Sequence, residues 1–202
     1  MRQLDSTNAP RWEWRTFGVR LSDIEAIIGL AARIAPRRSD EIYLLNSATP
    51  HSAKIRGGVL EVKRLLQVDS SGLEQWSPAF KERFPLSAPM LRSAFAALEL
   101  RFIATRREVY DLEEFLAEMA ASGGPLRAVE VKKARRQFMY RDCAAEFDRV
   151  RIGPLARESF CIESEDPMKV IAALQGMGLD PHANINFSKG IERALALSTR
   201  AG

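Results

Sequence analysis

Charged side chains recur at every second residue over positions 52–64 of this chain. Lys54 and Arg56 fall on one face of an extended segment, and Glu61 and Lys63 fall on one face of the next, because side chains alternate between the two faces of a strand. A Gly-Gly pair separates the two segments and is a strong signal for a two-residue hairpin turn. The pattern therefore predicts paired strands with several charges on one face, an arrangement that suits a polyanionic ligand.

The same period of two returns in other strand-like segments of the chain. The charged or polar pairs are Glu13 and Arg15, Thr105 and Arg107, Lys133 and Arg135, Glu146 and Asp148, and Glu163 and Glu165. Any one of these pairs is typical of a strand that faces solvent. All of them together are explained by a closed barrel with a charged interior, because barrel strands alternate interior and exterior residues.

Composition sets the class of protein. The chain has 202 residues, 46% of them hydrophobic, which predicts one folded domain over residues 1–202. The net charge of +4 is a mild excess that is compatible with an anionic ligand. The chain has no long apolar run and no apolar signal region, and the spacing of its two cysteines is not that of a metal site. These features predict a cytoplasmic protein with reduced thiols and no membrane association.

Helical periodicity is confined to a few segments. We expect helices over 21–34, 90–98 and 191–197. The clearest helix follows Asp166, since an Asp at the N-cap, Pro167 at the first helical position and glycines at the end are typical start and stop signals. The segment 112–120 fits either a helix or a strand with a helix after it.

The order and spacing of these segments, from about residue 11 to about residue 197, resemble the CYTH superfamily, the triphosphate tunnel metalloenzymes. The family's opening Glu-x-Glu-x-Lys motif corresponds to residues 11–15, where Glu13 fits the second acid, Arg15 replaces the lysine and Arg11 replaces the first acid. Lys54 and Arg56 resemble the basic third strand of the family. The remaining matching segments are 61–63, 131–135, 146–153, 162–165 and 184–189.

The resemblance implies an α+β, mostly β fold, in which an eight-stranded antiparallel barrel forms a triphosphate tunnel and helices pack outside. It implies catalytic roles for Glu13, Lys54, Arg56 and Lys63. It implies phosphate binding by Arg15, Lys54, Arg56, Lys63, Arg107, Lys133, Arg135 and Lys189. It implies Mg²⁺ or Mn²⁺ as cofactor, with Glu13, Glu146, Asp148, Glu163 and Glu165 as ligands.

The function that the resemblance implies is metal-dependent hydrolysis of a triphosphate-containing small molecule, inorganic or organic. Two alternatives stay open, namely a module that binds polyphosphate or a nucleotide without turnover, and an adenylyl cyclase. A basic barrel that binds RNA is the remaining alternative. It is not the expected one, because it requires exposed aromatic residues among the cations, and core packing explains the only hint of them, Trp12 and Trp14, better. A homodimer is compatible with the sequence.

Overall fold

Alternating charged and apolar residues produce strands that close on each other. A computed structural model describes residues 9–18, 21–29, 36–102 and 107–199. Eight strands form a closed antiparallel barrel in the order β1-β10-β9-β8-β2-β3-β4-β5. The barrel strands are β1 (Arg11–Gly18), β2 (Arg37–Leu45), β3 (Ser52–Arg56), β4 (Val59–Val68), β5 (Glu74–Arg83), β8 (Arg127–Tyr140), β9 (Cys143–Ile152) and β10 (Leu155–Ser164). The fold class predicted from the sequence is confirmed.

The remaining elements lie outside the closed sheet. They are α1 (Ser22–Gly29), the short paired strands β6 (Leu86–Ser87) and β7 (Val109–Tyr110), α2 (Ala88–Ala97), α3 (Leu112–Ala121), α4 (Pro167–Gly176), a 3₁₀ turn (Pro181–Ala183) and α5 (Phe187–Thr199). In the described ranges, no helix combines the length and the apolar character that crossing a membrane requires.

The β3–β4 hairpin shows why apolar side chains face out of the barrel and charged side chains face into it. Gly57 and Gly58 adopt φ values of 55° and 74°, a left-handed conformation that glycine tolerates best, so the predicted turn is confirmed. The outward residues Ile55 and Leu60 are buried in an apolar cluster that includes Leu91 of α2 and Phe115 of α3. Because the apolar residues face outward onto helices, the charged residues between them face inward.

Two further apolar clusters fix the rest of the barrel. Trp14 and Phe160 on the outer surface of β1 and β10 are buried with Leu174 of α4. The third cluster closes one end of the barrel, where the Phe187 ring of α5 stacks on Tyr43 with ring centroids 4.8 Å apart. This end of the barrel is therefore apolar.

The helix signals gave mixed results. The Asp166 side chain accepts a hydrogen bond from the Met168 amide at the start of α4, as predicted. Segment 112–121 is a helix, and Asp111 and Glu114 form a reciprocal capping box at its start. Helix α1 is described over Ser22–Gly29, and the predicted continuation to residue 34 lies outside the described residues.

The strand predictions need two corrections. Residues 103–106 of the predicted segment 103–110 lie outside the described part; in its described remainder, 107–110, the strand is Val109–Tyr110, which pairs with β6 and not with a barrel strand. Strands β2 and β5 were not predicted. Polar residues 37–40 precede the apolar run of β2, and Pro78 and a change of register interrupt the alternation of β5, so neither has a clean period of two.

The apolar cluster that closes one end of the barrel depends on the Phe187 ring, so truncating this side chain should strongly reduce stability. Phe187 is 7% exposed and also contacts the Phe17 ring edge-on at 5.4 Å. Phe187→Ala should lower the free energy of unfolding by roughly 3–5 kcal/mol because it leaves a cavity at the barrel end. Urea denaturation measures this change, and Leu197→Ala, at a 54% exposed position on the same helix, is the matched control. A decrease in the free energy of unfolding of less than about 1 kcal/mol would contradict the role of Phe187 in closing the barrel end.

Candidate anion-binding lumen

The barrel interior opposite the apolar end is filled by charged side chains from most of its strands. We call these inward-facing residues the lumen cluster. It comprises Arg11, Glu13, Arg15, Glu41, Lys54, Arg56, Glu61, Lys63, Lys133, Arg135, Glu146, Asp148 and Glu163. They come from β1, β2, β3, β4, β8, β9 and β10.

Glu41 of β2 is the centre of the cluster. Its buried carboxylate lies 3.2 Å from Lys54 Nζ and 3.9 Å from Lys133 Nζ, and it also accepts a hydrogen bond from Arg135. Burial alone would raise the pKa of Glu41, but Lys133, Lys54 and Arg135 outweigh it and lower the pKa to about 2. The carboxylate therefore holds together three cations from two other strands.

Asp148 of β9 is the second buried acceptor. Its Oδ2 lies 3.5 Å from both Arg15 Nη1 and Lys133 Nζ, whereas its Oδ1 is buried without a hydrogen-bond donor. Burial raises the pKa of Asp148, and the neighbouring carboxylate of Glu146 adds to this increase. Burial acts in the same direction on Glu146, but Lys133 and Arg15 lower its pKa. The two carboxylates thus differ in how readily they ionise.

The lysines of the hairpin differ from each other in the same way. Burial and the nearby Lys133 lower the pKa of Lys54 to about 8. Partial desolvation by the surrounding barrel would by itself lower the pKa of Lys63, but the carboxylates of Glu13 and Glu163 raise it above its usual value. Lys63 is exposed to solvent and forms no salt bridge with a described residue. It is therefore the lumen cation that a ligand can reach with the least disruption.

Strand β1 brings residues 11–15, the segment compared above with the opening motif of the CYTH superfamily, to the lumen. Arg15 Nε lies 3.1 Å from Glu13 Oε1, and Arg15 Nη1 donates to Ser159 Oγ at 2.8 Å. Arg11 lies on the same face of β1, two positions before Glu13, and its Nη1 lies 2.9 Å from Glu163 Oε1.

 The Arg11 guanidinium thus neutralises a carboxylate that the resemblance assigns to a metal ion.

The structure brings together most of the residues predicted to bind phosphate. Arg15, Lys54, Arg56, Lys63, Lys133 and Arg135 all belong to the lumen cluster. Arg107 does not, because its segment lies outside the barrel and its half-exposed side chain pairs with Glu114 of α3. Lys189 lies in the first turn of α5, where its side chain is 61% exposed and its Nζ is 3.8 Å from Glu74.

The predicted metal ligands are also divided. Glu13, Glu146, Asp148 and Glu163 belong to the lumen cluster, whereas Glu165 is exposed just beyond the end of β10. Among the described residues, no group of three or more acidic, histidine or cysteine side chains is arranged to hold a metal ion. The four lumen carboxylates each form an ion pair with a lysine or arginine instead. Mg²⁺ or Mn²⁺ stays a prediction.

Sequence reasoning missed the most connected residue of the site. Glu41 was not predicted, and neither were the aromatic rings beneath it, Tyr43 and Phe187. Lys133 Nζ lies 3.6 Å from the centroid of the Phe187 ring, which places a cation against the apolar end of the barrel. The alternation of Ser39, Glu41 and Tyr43 on β2 was the available signal, and the neighbouring polar run obscured it.

Comparison with known proteins supports the architecture. No protein-family model matches the chain, and no curated protein matches its sequence. A conserved hypothetical protein from Pyrococcus furiosus is similar in structure, with 16% identity over 88% of this chain and 98% of the other, and a TM-score of 0.52. A candidate adenylate cyclase from Bacillus halodurans has 11% identity over 92% of this chain and 98% of the other, with a TM-score of 0.50. The likeness is one of fold.

A third solved structure is more distant. It is a candidate adenylyl cyclase from Hippeastrum whose description reports a dominant triphosphatase activity, with 13% identity over 84% of this chain and 88% of the other, and a TM-score of 0.44.

The position of Glu41 predicts a specific dependence of stability on pH. Its pKa is about 2 in the folded protein and 4.5 ordinarily, so its contribution is complete above pH 4.5 and is lost as the pH falls toward 2. Glu41→Gln should lower the free energy of unfolding at pH 7 by roughly 3–5 kcal/mol, because it leaves buried cations without their anion. The difference from the wild type should shrink below pH 4.5.

Denaturant titrations at a series of pH values measure this effect. Asp40→Asn is the matched control, because Asp40 is the adjacent residue of β2 and is exposed on the outer face. Equal effects of the two substitutions would contradict a central role for Glu41.

Proposed function

We propose that the lumen binds the triphosphate group of a small molecule and that the protein hydrolyses it. The observation that carries this proposal is the convergence of cations from β1, β3, β4 and β8 on one enclosed interior. Lysine and arginine bind phosphate oxygens through charge and directed donors, and arginine can do so with two donors at once. In a barrel interior, these contacts are stronger than they are on an open surface.

The pairing of the lumen cluster constrains how a triphosphate enters. Lys54, Lys133 and Arg135 already contact a carboxylate, so phosphate oxygens compete with Glu41 for the same donors. Binding therefore requires an exchange of partners that leaves carboxylates without cations. A divalent ion that accompanies the triphosphate offsets this loss, because carboxylate, phosphate and water oxygens are its preferred ligands.

We therefore propose the Mg²⁺ or Mn²⁺ complex of the triphosphate as the substrate. A bound divalent ion supplies charge neutralisation and polarisation of a phosphoryl group. The chain's own contribution is to position the phosphates. Arg15 is suited to this role because Glu13 and Ser159 fix its guanidinium, and a fixed donor loses little entropy when it binds.

A second candidate function is a module that binds the triphosphate without hydrolysis. The ion pair between Arg11 and Glu163 favours it, because a guanidinium beside a carboxylate repels a divalent ion and attracts phosphate. Adenylyl cyclase activity is a third candidate function, since the structural relative from Bacillus halodurans is a candidate adenylate cyclase.

Binding of triphosphate should stabilise the folded protein. At a hundred times its dissociation constant, a ligand that binds only the folded state adds about 2.7 kcal/mol to the free energy of unfolding. Lys63→Gln should weaken triphosphate affinity about tenfold, because one charged contact of about 1.4 kcal/mol is lost. Lys132→Gln, on the exposed outer face of β8, is the matched control and should have no such effect.

Calorimetry and thermal unfolding with triphosphate measure binding, and a phosphate-release assay with Mg²⁺, Mn²⁺ or a chelator measures turnover. Triphosphate, thiamine triphosphate, ATP and long-chain polyphosphate are the test compounds. Phosphate release supports the hydrolase, binding without release supports the module, and cyclic AMP from ATP supports the cyclase. Absence of binding by all of them contradicts the proposal.

The altered opening motif gives a separate prediction. Arg11→Glu removes the cation beside Glu163 and adds a carboxylate on the inward face of β1. We expect tighter metal binding and a rate of hydrolysis raised about tenfold, which corresponds to about 1.4 kcal/mol. The Mg²⁺ concentration that gives half of the maximal rate and the Mg²⁺-dependent shift in melting temperature measure the two effects. If neither changes, Arg11 has no influence on the metal.

A further inference from the structure

The end of the barrel opposite Phe187 carries a second group of cations. Strands β2 and β4 begin at this end, and β3, β5 and β8 end there, so we call it the mouth. Arg37 lies opposite Arg135 in the sheet register, and Lys81 lies opposite Glu61. Because their partners face inward, Arg37 and Lys81 lie on the inward face of the sheet, at its outer edge.

The mouth cations differ from those of the lumen cluster in their surroundings. Arg37 and Lys81 are exposed, and neither forms an ion pair with a described residue. Arg83, the next inward position of β5, donates a hydrogen bond to the Gly57 carbonyl at 2.7 Å and forms no ion pair within the described ranges. Among the described residues, no salt bridge offsets the charge of these mouth cations, whereas every cation of the lumen cluster except Lys63 is paired with a carboxylate.

The register of β2 also separates the two groups in space. Same-face residues on a strand are roughly 7 Å apart, so Arg37 lies roughly 14 Å along the strand from Glu41. A phosphate group held by Lys54 and Lys133 beside Glu41 is therefore a different group from the one that Arg37 contacts. Directly opposed like charges such as Arg37 and Arg135 destabilise a sheet, and an anion placed between them relieves this repulsion.

We propose that the mouth is a second anion-binding subsite, separate from the lumen cluster, which binds a further phosphate group of the ligand. Arg37 and Lys81 are its determinants. The subsite holds a phosphate that projects from the barrel when the terminal three phosphates lie inside, and this assignment rests on the proposed function of the lumen. It makes the protein selective for a phosphate chain with an anionic group beyond the third phosphate.

Calorimetry with inorganic triphosphate and inorganic tetraphosphate tests the subsite. The wild type should bind tetraphosphate more tightly than triphosphate. The double variant Arg37→Gln, Lys81→Gln should lose about tenfold or more in tetraphosphate affinity, equivalent to about 1.4 kcal/mol, and should change triphosphate affinity by no more than about twofold. Its tetraphosphate affinity should also depend less on salt, because exposed charges are screened.

The control is the double variant Arg38→Gln, Lys132→Gln. It removes the same two charges from exposed positions of the outer face, so it reproduces the change in net charge without touching the mouth. Equal losses in the two double variants would overturn the subsite, as would a wild type that binds both phosphates equally. A wild type that binds neither compound overturns the proposed function of the lumen and the subsite together.

Discussion

Lys133 makes the contact on which the rest of the interior depends. Its ammonium lies 3.9 Å from Glu41, 3.5 Å from Asp148 and 3.6 Å from the centre of the Phe187 ring. Burying a charge is costly unless it is paired, and the cost is greatest where water is excluded. One buried cation of β8 therefore joins the carboxylates of its two neighbouring strands, β2 and β9, to the apolar end, and the closed barrel supplies the rigid frame that this geometry requires.

The parts of this fold that could be predicted are those in which chemistry repeats at the period of a strand. The inward positions of β3, β4 and β8 alternate cleanly, and Lys54, Lys63 and Lys133 could be assigned to one interior from the sequence. The alternation could not reveal β5, where Pro78 and a register shift break the pattern. Nor could local patterns show that β1 pairs with β5, since that pairing closes the barrel between distant segments.

The same limitation explains why Glu41 was missed although its three cationic partners were found. A single carboxylate between a polar run and an apolar run has no periodic signal, and its importance arises only when β3 and β8 flank β2 in the sheet. Arg107 is the opposite case, because its sequence has the period of a strand but its segment packs beside α3. Periodicity identifies a face, whereas the register between strands decides which faces meet.

The charge of the interior changes along the barrel axis, and this gradient gives the site a direction. Phe187 and Tyr43 close one end with apolar surface, the lumen cluster follows with paired charges, and Arg37 and Lys81 extend past it with exposed positive charge. An anion approaching the mouth meets the exposed Arg37 and Lys81 before it meets the buried carboxylates of Glu41 and Asp148. Inside, it must replace carboxylates as the partners of lysine and arginine. For the proposed triphosphate ligand, entry through the mouth is therefore favoured by charge, while the depth of binding depends on how readily Glu41 and Asp148 give up their cations.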